Sequence, residues 1–152
     1  MKFMELKIPP LIQLSICFLL MFMVSSGALT DGAFTIRFAF WVAISITAAV
    51  VSLLGVWEFK RHQTTVNPMD PESSGSLVRS GIYQYSRNPM YLGFLLFLFA
   101  FGILLGDVKS LFIVPLFFSY MTIFQIIPEE RALQGLFGNE YKQYQREVRR
   151  WL

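Results

Sequence analysis

Two polar knots carry most of the chemistry this chain could do. The first, LVRSGIYQYSRNPMYLG from Leu77 to Gly93, gathers Arg79, Gly81, Tyr83, Tyr85, Arg87, Asn88, Pro89 and Tyr91 ahead of an apolar run. The second, PEERALQGLFGNEY from Pro128 to Tyr141, follows the last apolar run. Asn88 at an N-cap and Pro89 at the first helical position mark a helix start. The free first-turn N–H groups there, the positive end of the dipole and the neighbouring Arg87 suit a carboxylate or phosphate. Tyr83, Tyr85 and Tyr91 offer ring faces to an adenine or an onium cation. Glu129 and Glu130 offer carboxylates to an amine or to ribose hydroxyls. Each feature alone is ordinary: a helix start, a glutamate pair that helix dipoles favour, an interfacial tyrosine. Their combined order is far more specific.

The elements that must position these residues read as membrane helices. The chain has 152 residues, 55% hydrophobic and 15% charged, with a mean hydropathy of +0.52. Residues 8–30, 38–57, 88–106 and 110–128 contain no Asp, Glu, Lys or Arg. Each run approaches the roughly 20 apolar residues that a helix needs to cross a bilayer. Backbone groups in lipid must pair within the helix, so four crossings are expected. With the N-terminus cytoplasmic, eleven of the thirteen Lys and Arg residues face the cytoplasm, and only Arg37 and Lys109 lie outside. That bias places the N-terminus, the 60–88 loop, the C-terminus and both knots on the cytoplasmic side. Reading the first run as a signal peptide, cleaved near Ser26-Gly27-Ala28, would reverse the bias. Topology and anionic head groups account for the basic residues, so no nucleic-acid partner is expected.

The fold class expected is all-α integral membrane: four transmembrane helices plus a C-terminal amphipathic interfacial helix, in one domain spanning 1–152. Residues 1–59 hold the first two helices, the first from Pro9-Pro10 to about Leu29 and the second from about Phe34 to Phe59. Arg37 is expected to snorkel to the outer interface. Residues 60–88 form the cytoplasmic loop, with Thr64–Pro68 and Asp70–Gly75 rich in turn formers. Residues 89–128 form a hairpin whose first helix ends near Gly106, with Gly102 and Gly106 in GxxxG spacing. Pro115 should interrupt or tilt the second, and Pro128 should end or kink it. In the cytoplasmic 129–152 segment, Asn139 can cap a final helix with Tyr141, Tyr144, Val148 and Trp151 at helical spacing, lying on the leaflet.

Several chemistries drop out. One cysteine, Cys17, and one histidine, His62, make no zinc site, and no metal is expected. Cys17 reads as a packing residue and His62 as a solvated loop residue. There is no nucleophile elbow, P-loop or GxGxxG. The knots instead suit a ligand bearing a carboxylate, an ammonium, a sulfonium and an adenosine, and S-adenosylmethionine combines all four.

LVRSGIYQYSRNPMYLG followed by EERALQGLFGNEYKQYQREVRRWL resembles the integral-membrane methyltransferases related to isoprenylcysteine carboxyl methyltransferase, with the phospholipid N-methyltransferases as cousins. The shared motifs are Gly-Ile-Tyr, Arg-Asn-Pro-x-Tyr-x-Gly, a membrane hairpin, Glu-Glu and Phe-Gly-x-Glu-Tyr, over about residues 64–152. The resemblance implies an S-adenosylmethionine cofactor enclosed between the loop and the final hairpin. It implies cofactor contacts from Ser76, Leu77, Val78, Tyr83, Asn88, Pro89, Met90, Tyr91 and Glu129. Arg87 and Asn88 are the candidate catalytic residues. The prenylcysteine enzymes carry histidine where this chain has Asn88, and a substrate-binding arginine where it has Gln125, so Gln125 is a weak candidate for substrate contact.

Methyl transfer from a sulfonium needs chiefly alignment and exclusion of water, so a missing catalytic triad is expected. The expected partners are the membrane and a lipophilic or lipid acceptor, its reacting group left open among carboxylate, amine, thiol and hydroxyl, and the oligomeric state likewise open. The rival readings are a small four-helix transporter and a non-enzymatic assembly subunit built on the GxxxG face. Proton-coupled carriers need an ionisable group inside a helix, and the four runs lack one.

Overall fold

The computed structural model describes residues 5–26, 32–63 and 75–152, and among them the chain is helical with no strand. Each charge-free run holds helix among its described residues. The first three are α1 (Pro10–Val24), α2 (Phe34–Arg61) and α3 (Pro89–Leu105). The last is divided into α4 (Val108–Leu111), α5 (Ile113–Tyr120) and a π-helical segment, Met121–Ile126, which passes directly into α6 (Ile127–Glu147). Prolines occupy the first helical positions of α1 and α3, where a missing N–H costs nothing. Two helical stretches, Phe34–Arg61 and Val108–Glu147, are long and apolar enough to cross a membrane, and α1 and α3 are apolar but shorter.

Glycines set the close α2–α3 packing. A Cβ at Gly93 would lie 2.8 Å from the Ala48 carbonyl oxygen, and one at Gly55 would lie 2.8 Å from Met90 Cγ. The two backbones can therefore meet without intervening side chains. Around this pair, Leu14 and Met21 of α1, Leu98 and Leu105 of α3, Phe117 of α5, and Met121 and Ile126 form one buried core. Leu11, Leu19 and Phe22 of α1 and Ile36, Phe40, Leu53 and Trp57 of α2 face outward. Apolar exposure on this scale marks a surface made for lipid or a partner.

A second core lies beyond the C-terminal end of α2 and the start of α3, where Val78 and Tyr83 of the loop pack against Tyr141 and Tyr144 of α6. At the other end, Asp107 caps α4 by accepting from the Lys109 N–H at 2.9 Å and also accepts from the Ser26 N–H and hydroxyl. Those backbone hydrogen bonds, Ser26's first, hold the exposed Asp107 carboxyl below its usual range.

Several boundaries differ from expectation. Helix two continues through Arg61, and a 3-10 turn (Gly81–Gln84) lies inside the expected loop. The Thr64–Pro68 stretch, most of Asp70–Gly75 and the first helix's expected end at Leu29 lie outside the described residues. Pro115 leaves the Leu111 carbonyl without its usual donor, and the helix breaks at Phe112. Pro128 does not end its helix. It leaves the Phe124 carbonyl free, and the Leu6 N–H donates to that oxygen at 3.1 Å.

The break expected near Asn139 falls at Gly138, which has φ 52° and ψ −118°. The apolar stripe of the final helix is not left for the leaflet: Tyr141 and Tyr144 are buried against the protein's own loop. Gly102 faces Leu111 and Met21, and Gly106 is the left-handed end of α3 under the Arg37 guanidinium. The GxxxG pair is therefore turned inward, and Arg37 covers a turn.

Candidate functional site

The two knots meet at Glu129. Tyr91, in the first turn of α3, donates its hydroxyl to Glu129 Oε1, and Gln125 donates Nε2 to the same oxygen, each at 2.5 Å. Gln125 and Tyr91 are buried, while Glu129 retains partial exposure. Gln125 stands four residues before Glu129, so one helical turn brings the amide to the carboxylate. That turn spans the end of the π-helical segment and Pro128, a departure from α geometry of the sort that collects at functional sites. Since both donors take Oε1, neither takes Oε2, leaving that oxygen to accept from an ammonium or a hydroxyl.

Tyr83 supplies the neighbouring wall. Its ring meets Phe59 edge-on at 5.3 Å, and its carbonyl accepts from the Tyr144 hydroxyl at 2.7 Å. Its own hydroxyl points to α2, 3.5 Å from where a Cβ on Gly55 would lie, with Met90 and Pro89 beside it. Among the described residues that buried hydroxyl has no hydrogen-bond partner. Burial first, then the neighbouring Tyr144 and carboxylates, pushes its ionisation far above the ordinary tyrosine range, so it is a standing donor. Val78 and Leu77 belong to the second core behind Tyr83, and Ser76 lies at its edge, donating to the His62 carbonyl at 3.4 Å.

Arg87 and Asn88 do something else. Arg87 Nη2 donates to Glu130 Oε1 at 2.7 Å, while its Nη1 donates to the carbonyls of Gln145 and Val148. Arg150 donates to both oxygens of Glu130, at 3.0 and 2.8 Å, and this hydrogen bonding raises its own ionisation further. Asn88 occupies the N-cap position, but its side chain makes no cap; Nδ2 donates to the Arg150 carbonyl at 3.0 Å. Trp151 stacks on Phe118 at 4.8 Å and donates to Thr122 Oγ1. These contacts strap the C-terminal residues across the entry to α3. The Glu129-Glu130 pair is thus divided, with Glu130 neutralising two arginines inside the protein and Glu129 facing the site.

Of the expected site residues, Tyr91, Gln125 and Glu129 form one cluster, and Tyr83, Pro89 and Met90 adjoin it against Gly55. Leu77 and Val78 back Tyr83, Ser76 is peripheral, and Arg87 and Asn88 hold the tail. Sequence reasoning passed over Glu58, buried near the C-terminal end of α2. The one available signal was its being the sole acidic residue of that helix. It also missed Gly55 and the Glu130–Arg150 pair.

The phospholipid methyltransferase family profile matches residues 36–140. An uncharacterized protein of Haemophilus influenzae is 43% identical over 63 residues, 41% of this chain and the whole of that relative. A protein-S-isoprenylcysteine O-methyltransferase of Schizosaccharomyces pombe is 36% identical over 72 residues, 47% of this chain and 30% of its own length. Methanethiol S-methyltransferase 1 of Bradyrhizobium diazoefficiens is 29% identical over 118 residues, 75% of this chain and 39% of its own. The chain thus spans well under half the length of either of those two enzymes. No solved structure matches. With two helices able to cross a bilayer and a family profile over most of its length, the chain is an integral membrane protein that belongs to the phospholipid methyltransferase family.

Proposed function

We propose that the protein is an S-adenosylmethionine-dependent methyltransferase acting on a lipophilic acceptor held at the membrane. The observation that carries this reading is the convergence of Tyr91, Gln125 and Glu129, with the unpartnered Tyr83 hydroxyl beside them. S-adenosylmethionine, when bound, supplies a methyl group already activated on a sulfonium. The residues present fit it: Glu129 can accept from an ammonium or ribose hydroxyl, the Tyr83 hydroxyl is a buried donor awaiting an acceptor, and the Tyr83 and Tyr91 rings suit an onium or adenine. Arg87 and Asn88 serve by fixing the tail and the start of α3, and no acid–base step is assigned to them.

The chain's contribution to the chemistry is alignment and dryness. Tyr91 and Gln125 fix the Glu129 carboxylate so that no reorganisation is needed on binding. The buried walls around Tyr83 and Gln125 keep water from the acceptor. In this reading the four apolar runs all cross the bilayer, both termini and the 60–88 loop are cytoplasmic, and the final helix rests near the inner leaflet. An apolar cavity of about 300 Å³ between α1 and α5, lined by Ile16, Cys17, Leu20, Ile113, Leu116 and Phe117, gives a hydrocarbon acceptor a place to lie. Phe117 joins that wall to the core that contains Tyr91. Incubation of the purified protein with methyl-labelled S-adenosylmethionine and total membrane extract tests the reading. Label in a lipid-soluble product supports it and identifies the acceptor; label confined to unreacted donor across all lipid fractions contradicts it.

A further inference from the structure

The geometry points to Glu58 as a positioning residue: its buried carboxylate clamps the Ser80–Tyr83 turn onto α2 and so sets where the Tyr83 hydroxyl lies. Glu58 is 2% exposed, an unusual place for the sole carboxylate of a mainly apolar helix. The Ser80 hydroxyl donates to its Oε2 at 2.6 Å. His62 Nε2 lies 2.8 Å from the Ser80 hydroxyl and 3.7 Å from the same carboxylate oxygen, with Arg61 3.8 Å from Oε1. One turn of α2 thus surrounds Ser80 with partners drawn from Glu58 and His62.

The next residue in the loop makes the contact tighter. Gly81 has φ +57°, and a Cβ there would collide with the Glu58 side chain, so the turn rests directly on the carboxylate. From Ser80 the turn closes locally, its carbonyl accepting from the Tyr83 N–H at 3.1 Å. Phe59, adjacent to Glu58, meets the Tyr83 ring at 5.3 Å. Consecutive residues of α2 therefore hold both the backbone and the ring of the residue whose hydroxyl has no partner among the described residues. An apolar side chain at position 58 could fill the space, but it could not accept from Ser80. Burying a charge is costly unless it is hydrogen-bonded, and here the bonds it gains are to the loop it positions.

This inference rests on the reading of Tyr83 as part of the cofactor site, and the test separates the two. S-adenosylhomocysteine binding to the detergent-purified full chain is measured by calorimetry, with hydrogen exchange of residues 76–85 followed in parallel. Glu58→Gln and Ser80→Ala are each expected to weaken binding ~tenfold, the scale of losing a hydrogen bond to a charged group. Both should speed exchange in 76–85 while leaving α3 protection unchanged. Glu58→Gln combined with Tyr83→Phe should bind no more weakly than Tyr83→Phe alone, because the clamp acts through that hydroxyl. Additive losses, or unchanged binding and exchange in both single variants, overturn the positioning role. If the unsubstituted protein fails to bind, the cofactor reading falls, and the positioning role falls with it. The exchange data then report only whether Glu58 holds the loop.

Discussion

The Leu6 N–H donates to the Phe124 carbonyl at 3.1 Å, and Phe124 is the residue whose carbonyl Pro128 leaves without a helical donor. The N-terminal lead thus completes a helix formed more than a hundred residues later, immediately before Gln125 and Glu129. Glu5 reinforces the join by accepting from Arg131 at 2.7 Å. Leu6 adopts φ 55°, a conformation that favours glycine. Leu6→Gly, which keeps the N–H, should match or exceed the native thermal stability. Leu6→Pro, which removes the N–H and cannot adopt φ 55°, should cost at least about 1–3 kcal/mol, read as a lowered Tm in detergent.

Close packing of α2 on α3 depends on Gly93. Gly93→Ala would drive a methyl group against the Ala48 carbonyl and the Ser52 hydroxyl. A destabilisation of about 1–3 kcal/mol is expected. Gly135→Ala is the control: it lies in α6 with nothing within 4 Å, so the higher helix propensity of alanine should stabilise by up to about 1 kcal/mol. Chemical unfolding of both variants in one detergent checks the contrast.

Glu130 neutralises Arg87, which is largely buried, and Arg150, which is about a third exposed. Glu130→Ala would leave Arg87 as an uncompensated charge, a change that costs about 3–5 kcal/mol where the pair is fully buried. Partial exposure of Arg150 puts the expected loss toward the lower end. The tail should also come loose, so limited proteolysis ought to remove residues after Val148 from the variant before the native chain.

Some of this architecture could be read directly from the chain. Asn88-Pro89, the turn at Asp107 and the breaks near Pro115 and Asn139 are local signals, each written in the few residues that form it. The site's central cluster was also legible, because Tyr91 and Glu129 occupy recognisable motifs at the ends of one hairpin. What escaped was non-local. Glu58 looks like an interface charge until Ser80, 22 residues on, closes over it. Arg87 looks free to bind an anion until Glu130 and the tail occupy it, 43 residues and more away. The helix survives Pro128 with help from Leu6, a donor that no pattern around Pro128 reveals. The stripe of Tyr141 and Tyr144 has the spacing of a lipid-facing surface, and spacing alone does not say that the loop covers it.

Tyr91→Phe removes one of the two donors that fix Glu129 without opening a cavity. Binding of S-adenosylhomocysteine should weaken ~tenfold, in line with loss of a charge-assisted hydrogen bond. Far-ultraviolet circular dichroism should be unchanged. The same loss accompanied by falling helicity would assign Tyr91 to the core and not to the site.

The most direct test of the central claim is calorimetric titration of S-adenosylhomocysteine into the detergent-purified protein, alongside Glu129→Gln. Saturable binding by the native protein, weakened at least tenfold in the variant while its Tm is retained, is the predicted result. No heat of binding at millimolar ligand, or equal binding by both proteins, would contradict the assignment of Glu129 to a methyl-donor site.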